Sequence, residues 1–402
     1  MQKNMKTIIS KKVDDMQPSG IRAFFDLVLG MKEVISLGVG EPDFVTPWQI
    51  REAGIYSLEQ GFTSYTSNKG LYKLRLGLSR YLSGKCGVEY CPDEEILITV
   101  GVSEAFDLAL RAMLNPLDEV LIPVPCYVSY GPLVELAGGV PVYIDTCGSN
   151  FKLTPAAIKK AINKKTKALV LNYPCNPTGV SYTKSELEEF KKIILANNLI
   201  CIADEVYDEL TYDFTHTPFV SLSGAKKNTL YLNGFSKSFA MTGWRVGFAC
   251  GPKEIIAAMT KVHQYTIMCV SITSQMAACE ALASGRKAIE EMKREYKRRR
   301  EFVIDRLNGL GLSCAMPQGA FYAFPSIKSS GLTSIEFAQK LLKVQKVAVV
   351  PGTAFGSCAE GFLRISYASS MDNLKEALNR MEIFLKNQRK CTASYSRKNS
   401  LR

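Results

Sequence analysis

Short apolar runs alternate with longer stretches whose apolar residues recur at helical spacing. From Ile96 to Leu114 the pattern reads as a strand, a tight glycine turn and a helix with Leu108, Ala109, Ala112 and Met113 in register. Glu119 to Tyr130 runs from a buried strand into prolines and tyrosines. VPVYID, a helix from Pro155, and the segments Lys167–Gly179 and Leu199–Asp213 continue the βα alternation. Strand-like runs at Thr229–Leu232 and Val246–Cys250 bracket the stretch FSKSFAMTGWRVGF. Helices are expected over Pro252 to about Met268 and over about Gln275 to Leu310. A smaller α+β unit follows, with a helix near Ser334–Lys343 and an alternating strand around Phe362–Ile365. Residues 1–35 read as a flexible start and a helix over roughly Gly20–Leu29.

Composition narrows the function classes. A chain of 402 residues, 47% hydrophobic and 22% charged, has the make-up of an ordinary globular protein with room for one large core and a smaller domain. No apolar run reaches membrane-spanning length, and no signal-peptide core follows the start. Asp14 and Asp15 interrupt the basic N-terminus, which argues against a transit peptide. Of the net charge of +12, half lies between Lys386 and Arg402, a Ser-, Arg- and Lys-rich tail whose composition predicts disorder. The cluster KREYKRRR (Lys293–Arg300) reads as a solvated helix face, since no nucleic-acid motif accompanies it. Twelve scattered cysteines without a C-x-x-C pair, and only two histidines, argue against a zinc site and suit a reducing cytoplasm.

The candidate chemistry centres on Lys237, a lone lysine between Ser236 and Ser238, with Arg245 eight residues on. A lysine in an enclosed site loses proton affinity and becomes an amine nucleophile and base. Asp204 closes a short apolar strand, with Tyr207 three residues later and Lys237 33 residues on. The glycine turn Gly101-Val102-Ser103 opens a helix, whose free N–H groups suit phosphate.

SKSFAMTGWRVG resembles the lysine signature of fold-type I pyridoxal-phosphate enzymes of the aminotransferase class I/II family. GEPDF, YTxxxGxxxLR, GVSEA, NPTG, DEVY and FLRISYA resemble its further motifs in order, from about Ile35 to Leu385. The resemblance implies an α/β fold: a large, aspartate aminotransferase-like domain with a mostly parallel seven-stranded sheet, plus a smaller α+β domain. It places an N-terminal segment at 1–35, the large domain at 36–285, the small domain at 286–385 and the tail at 386–402. It implies pyridoxal 5′-phosphate (PLP) as cofactor, no metal, and Lys237, Asp204 and Tyr207 as catalytic residues. The cofactor would lie on Tyr127 and bond Asn176, Tyr207 and Asp204. Its phosphate would meet Gly101, Val102, Ser103, Ser236, Arg245 and Tyr65 of a partner subunit, so a homodimer with shared sites is expected. Gly40, Asn176 and Arg364 would bind the substrate, Arg364 by forking its α-carboxylate. The Val124–Pro125 and Asn176–Pro177 bonds are candidate cis peptides, and Ile21, Tyr322 and Tyr265 are candidates for the pocket wall.

The implied reaction moves an amino group between an L-amino acid and 2-oxoglutarate, in a cytoplasmic enzyme without nucleic-acid or membrane partners. The wording of LGVGEPDF, SYTSNKGLY and GAFYAFPSIKS is similar to a subgroup assigned to aromatic amino acids or N-acetyl-LL-2,6-diaminoheptanedioate. His263 to Gly285 lacks the arginine with which one aspartate-specific subgroup pairs a distal carboxylate. Aspartate/alanine-type transamination stays open, as does a carbon–sulfur β-lyase on the same fold. A non-catalytic regulator would carry a DNA-binding module, for which there is no room before Ile35.

Overall fold

A computed structural model describes residues 8–18, 31 and 33–399; the expected helix over Gly20–Leu29 and Ile21 lie outside the described residues. Among the described residues there are twelve strands: β1 (Ile35–Ser36), β2 (Ile96–Thr99), β3 (Glu119–Val124), β4 (Val140–Asp145), β5 (Thr166–Asn172), β6 (Ile200–Asp204), β7 (Thr229–Gly234), β8 (Gly247–Cys250), β9 (Tyr322–Ala323), β10 (Val347–Ala348), β11 (Val350–Pro351) and β12 (Leu363–Ser366). β2 to β8 form one sheet in the order β2-β8-β7-β6-β5-β3-β4, with β8 antiparallel to both neighbours and the other pairs parallel. The expected mostly parallel seven-stranded sheet is therefore present.

The apolar runs become strands because helices cover both faces. Ala168 and Val170 of β5 and Ile202 of β6 face one core with Phe106 and Leu110 of the helix Gly101–Met113 and Met259 of Lys253–Thr266. Leu169, Leu171, Cys201 and Ala203 face the other, with Leu187, Phe190 and Ile194 of Lys184–Ala196. β4 lies at the sheet edge, and its exposed Val140 and Tyr143 show the weaker burial of that position.

The smaller unit joins β9, β11 and β12 with helices Arg286–Gly309, Ser334–Gln345 and Met371–Asn399. Its core unites Tyr296, Val303, Leu363, Ile365, Leu378 and Phe384 and extends to Tyr207 beside β6. Thr333 and Glu336 close a capping box at the helix start, as Thr183 and Glu186 do earlier.

Three expectations need correction. The single helix over Gln275–Leu310 is two, Ile272–Ser284 and Arg286–Gly309, meeting at Gly285. A Cβ there would stand 2.5 Å from both a Phe239 ring carbon and the Ala281 carbonyl oxygen, so the bend depends on the missing side chain. The basic cluster is not simply a solvated face: Arg299 and Arg300 are buried, Arg299 Nη1 donating to both Asp43 carboxylate oxygens at 2.8 and 2.9 Å and Arg300 donating to Asp213 at 2.6 Å. The last helix continues to Asn399, through most of the tail expected to be disordered. Once its first turns are fixed by packing, extension needs no new nucleus.

β8 approaches the turn after β2 with no room to spare. A Cβ at Gly247 would lie 2.7 Å from the Gly101 carbonyl carbon and 2.9 Å from the Val102 nitrogen. Backbone cannot swing aside as a flexible side chain can. Gly247→Ala should lower unfolding free energy by about 1–3 kcal/mol in urea titrations; an unchanged midpoint would contradict this reading of the contact.

Candidate active site

The carboxyl ends of the parallel strands converge on one cavity of about 690 Å³, the position where open α/β sheets bind ligands. β6 delivers Asp204, β5 leads to Asn176, and β3 leads to Tyr127. The turn after β2 delivers Val102 and Ser103, and the turn after β7 delivers Ser236 and Lys237. β12 adds Arg364 from the smaller unit. All of these line the cavity, together with Gly40, Tyr207, Tyr322 and Arg245.

Lys237 Nζ donates to the Gly40 carbonyl at 2.6 Å and lies 5.9 Å from the ring centres of Tyr207 and Phe321. Burial brings its pKa down to about 8; Glu41 acts against this, and the cations of Arg364 and Arg245 reinforce it. Around pH 8 the side chain is thus substantially a neutral amine.

Asp204 is buried, and desolvation lifts its carboxyl to about 6. Two hydrogen bonds restrain that rise: the Tyr130 hydroxyl donates to one carboxylate oxygen at 2.6 Å and the Val206 N–H to the other at 3.3 Å. At neutral pH the group is therefore a buried carboxylate lining the cavity, suited to an N–H cation of a ligand ring.

Arg364 is 2% exposed and has no carboxylate partner among the described residues. It donates to Asn176 Oδ1 at 2.9 Å and to the Gly38 carbonyl at 2.6 Å, and its Nε is unpaired. Its guanidinium lies between the rings of Tyr322 and Phe355, at 4.6 and 4.9 Å. Burial lowers its pKa. A desolvated cation close to two aromatic rings, with its Nε unpaired, fits a ligand carboxylate.

Gly101 has φ +69°, and a Cβ on it would stand 2.6 Å from an Arg245 nitrogen. Only glycine lets that guanidinium lie over the start of the helix Gly101–Met113, where the first N–H groups are free. Arg245, exposed at the cavity rim and bonded to the Thr242 carbonyl at 3.1 Å, faces no acidic partner among the described residues. Helix end, Ser103, Ser236 and Arg245 together suit a phosphate.

The predicted site residues line the cavity except Gly101, which lies beneath Arg245, and Tyr65. Tyr65 is 81% exposed and does not line this cavity. Tyr265, a candidate wall residue, is 87% exposed and also outside it, whereas Tyr322 lines it. Tyr207 meets Tyr322 hydroxyl to hydroxyl at 2.8 Å. His263 is buried, its Nδ1 2.7 Å from Glu104 Oε1. Val124–Pro125 and Asn176–Pro177 are cis, and so is Tyr173–Pro174.

Sequence reasoning missed Tyr130 and Glu41. Glu41 lines the cavity and accepts from Thr242 Oγ1 at 3.0 Å. The repeat of tyrosine three residues after Tyr127 was the available signal for Tyr130, since one helical turn returns a side chain to the same face.

A family model described as aminotransferase class I and II matches residues 32–381. The chain is 47% identical to an aspartate aminotransferase of Pyrococcus abyssi, over 95% of this chain and 99% of that one. It is 43% identical to a Bacillus subtilis protein named "Probable N-acetyl-LL-diaminopimelate aminotransferase", over 96% and 98%. The crystal structure of an aromatic aminotransferase from Pyrococcus horikoshii superposes with a TM-score of 0.87 at 46% identity, covering 92% of this chain and 99% of that one.

The raised Asp204 pKa carries a stability cost. The folded state binds this proton more tightly than the unfolded one, so stability falls as pH rises from 3.8 to about 6 and stays reduced above. The shift corresponds to about 3 kcal/mol at neutral pH. Asp204→Asn should raise the unfolding free energy of the ligand-free protein at pH 7 by up to about 3 kcal/mol, with no gain at pH 3.5; a loss at pH 7 would contradict it.

Proposed function

The chain belongs to the aminotransferase class I and II family and is a PLP-dependent transaminase, and from that premise we propose that it moves the amino group of an aromatic L-amino acid to or from 2-oxoglutarate. The observation that carries this reading is the cation inventory of the cavity. Its three cationic wall residues have tasks already: Lys237 the cofactor, Arg245 the phosphate and Arg364 the α-carboxylate. The rest of the wall is rich in Val39, Val102, Phe106, Val128, Leu133 and tyrosines, which suit a flat apolar side chain better than a second carboxylate. The aspartate reading draws on the Pyrococcus abyssi relative.

PLP supplies an electron sink that lets a substrate Cα–H bond ionise. The chain's own residues do the rest. Lys237 would hold the cofactor, and its amine would take up and release the proton at the substrate Cα, a task suited to a pKa of about 8. Asp204 would keep the cofactor's ring nitrogen protonated. Tyr130 keeps Asp204 ionised and fixes its rotamer. Arg364 orients the substrate by its carboxylate, with Asn176 holding one guanidinium nitrogen in place. Tyr127 limits the tilt of the flat ring.

Tyr65 gains a role in a homodimer, reaching the partner's phosphate site. In support, Tyr65 is exposed, as are Trp48, Ile55, Tyr56, Tyr72 and Tyr265, large apolar side chains of the kind a subunit interface would cover. A cytoplasmic location suits the cysteines, all eleven with described side chains being free.

Initial rates with single amino donors and 2-oxoglutarate test the substrate. Phenylalanine or tyrosine should give the highest kcat/KM; aspartate exceeding both would overturn the aromatic reading, and pyruvate with ammonia from cystathionine would point to the β-lyase. Arg364→Lys should raise the donor KM by more than tenfold, because a point charge cannot reproduce a fork worth about 1.5–3 kcal/mol per charged bond. Tyr130→Phe removes one such bond from the ionised Asp204. The acidic limb of kcat/KM should therefore move to higher pH by about one unit; an unmoved limb would remove Tyr130 from this role.

A further inference from the structure

We propose that Asp145, Cys147 and Cys358 form a binding site for a thiophilic divalent cation such as zinc, which clasps the edge of the large sheet to the turn that supports Arg364. The three residues come from separate places in the sequence. Asp145 ends β4, Cys147 opens the short turn Cys147–Ser149, and Cys358 sits in the turn Ser357–Ala359. One ligand atom from each lies within 4.8 Å of the other two. Tetrahedral zinc with sulfur at 2.3 Å and oxygen near 2.0 Å needs ligand atoms about 3.3–3.8 Å apart. Closure thus asks for shifts of about 1 Å or less, within reach of side-chain rotation. Two thiols and a carboxylate leave a fourth position for water, and Asp145 faces solvent, so a cation has an entry path.

The Asp145 carboxylate beside the two thiols gives the cluster one hard anionic donor as well as two sulfurs, a mixed set that suits zinc. A divalent cation reverses the local field and displaces the thiol protons as it binds.

The location gives the site a consequence. Cys147 packs on the apolar cluster of Phe324, Val350 and Phe355, whereas Cys358 packs on the cluster beneath β3. Each thiol thus leans on the other side's core. The turn Gly352–Phe355 precedes Cys358, and the Phe355 carbonyl accepts from the Cys126 N–H at 3.0 Å. Phe355 is one of the two rings that hold Arg364. A bound ion would fix this turn without touching the reacting atoms. The site is independent of the substrate assignment, because none of its three ligands lines the active-site cavity.

The wild-type holoenzyme, reduced and stripped of metal, provides the test. Alkylation of each cysteine is followed by mass spectrometry with and without zinc. Zinc should slow modification of Cys147 and Cys358 and leave the exposed Cys91 unchanged. Cobalt(II) should give a thiolate charge-transfer band at one equivalent per chain. Cys358→Ser should abolish the band, and Asp145→Asn should weaken binding by at least the roughly 10–100-fold that even outer-shell partners are worth. Equal alkylation with and without zinc would overturn the proposal. So would a cobalt band that survives replacement of both thiols, or a Cys147–Cys358 disulfide in protein that zinc fails to protect.

Discussion

Desolvation of charge is the constraint on which the site depends. A 690 Å³ cavity holds an amine, a carboxylate and a guanidinium, each removed from bulk water to a different degree. Because burial disfavours the charged form, Lys237 falls to about 8 and Asp204 rises to about 6. The two shifts leave a base that works near neutral pH opposite a carboxylate still charged there. Arg364 cannot give up its proton, so it keeps a charge that only a ligand carboxylate can balance.

The fold exists to hold those charges apart until a ligand arrives. The parallel strands end at one level, so short loops suffice to bring Asp204, Asn176, Tyr127 and Lys237 together from distant parts of the sequence. The glycine contact between Gly247 and Gly101 sets how closely the turn after β2 lies on β8. Arg364 comes instead from the smaller unit, across a core shared through Tyr207 and Tyr322. The position of Arg364 therefore depends on the seating of one unit on the other, and any clasp between them acts on that guanidinium first.

Much of this was legible in the sequence, for identifiable reasons. β5 and β6 were readable because burial on both faces makes their runs almost wholly apolar. Lys237, Asp204 and Arg364 were readable because each sits in a motif whose wording resembles a known family. Other features were hidden. The bend at Gly285 depends on how closely Phe239 packs, and Arg299 and Arg300 find Asp43 and Asp213 across the fold. Tyr130 was passed over because its partner is 74 residues away. The Asp145–Cys147–Cys358 cluster was invisible to spacing rules, since its third member is more than two hundred residues from the first two. Tyr65 is exposed and does not line its own chain's cavity, so its expected role needs a second copy of the chain.

The most direct test of the central claim is the visible spectrum of the purified PLP-loaded protein while a single amino acid is added with no 2-oxo acid present. Reading Lys237 as the cofactor lysine of a transaminase predicts that the visible band of bound cofactor bleaches to the pyridoxamine form in one turnover and returns on adding 2-oxoglutarate. A protein that acquires no such band even with PLP in excess, or one whose band persists while substrate is consumed, would contradict it.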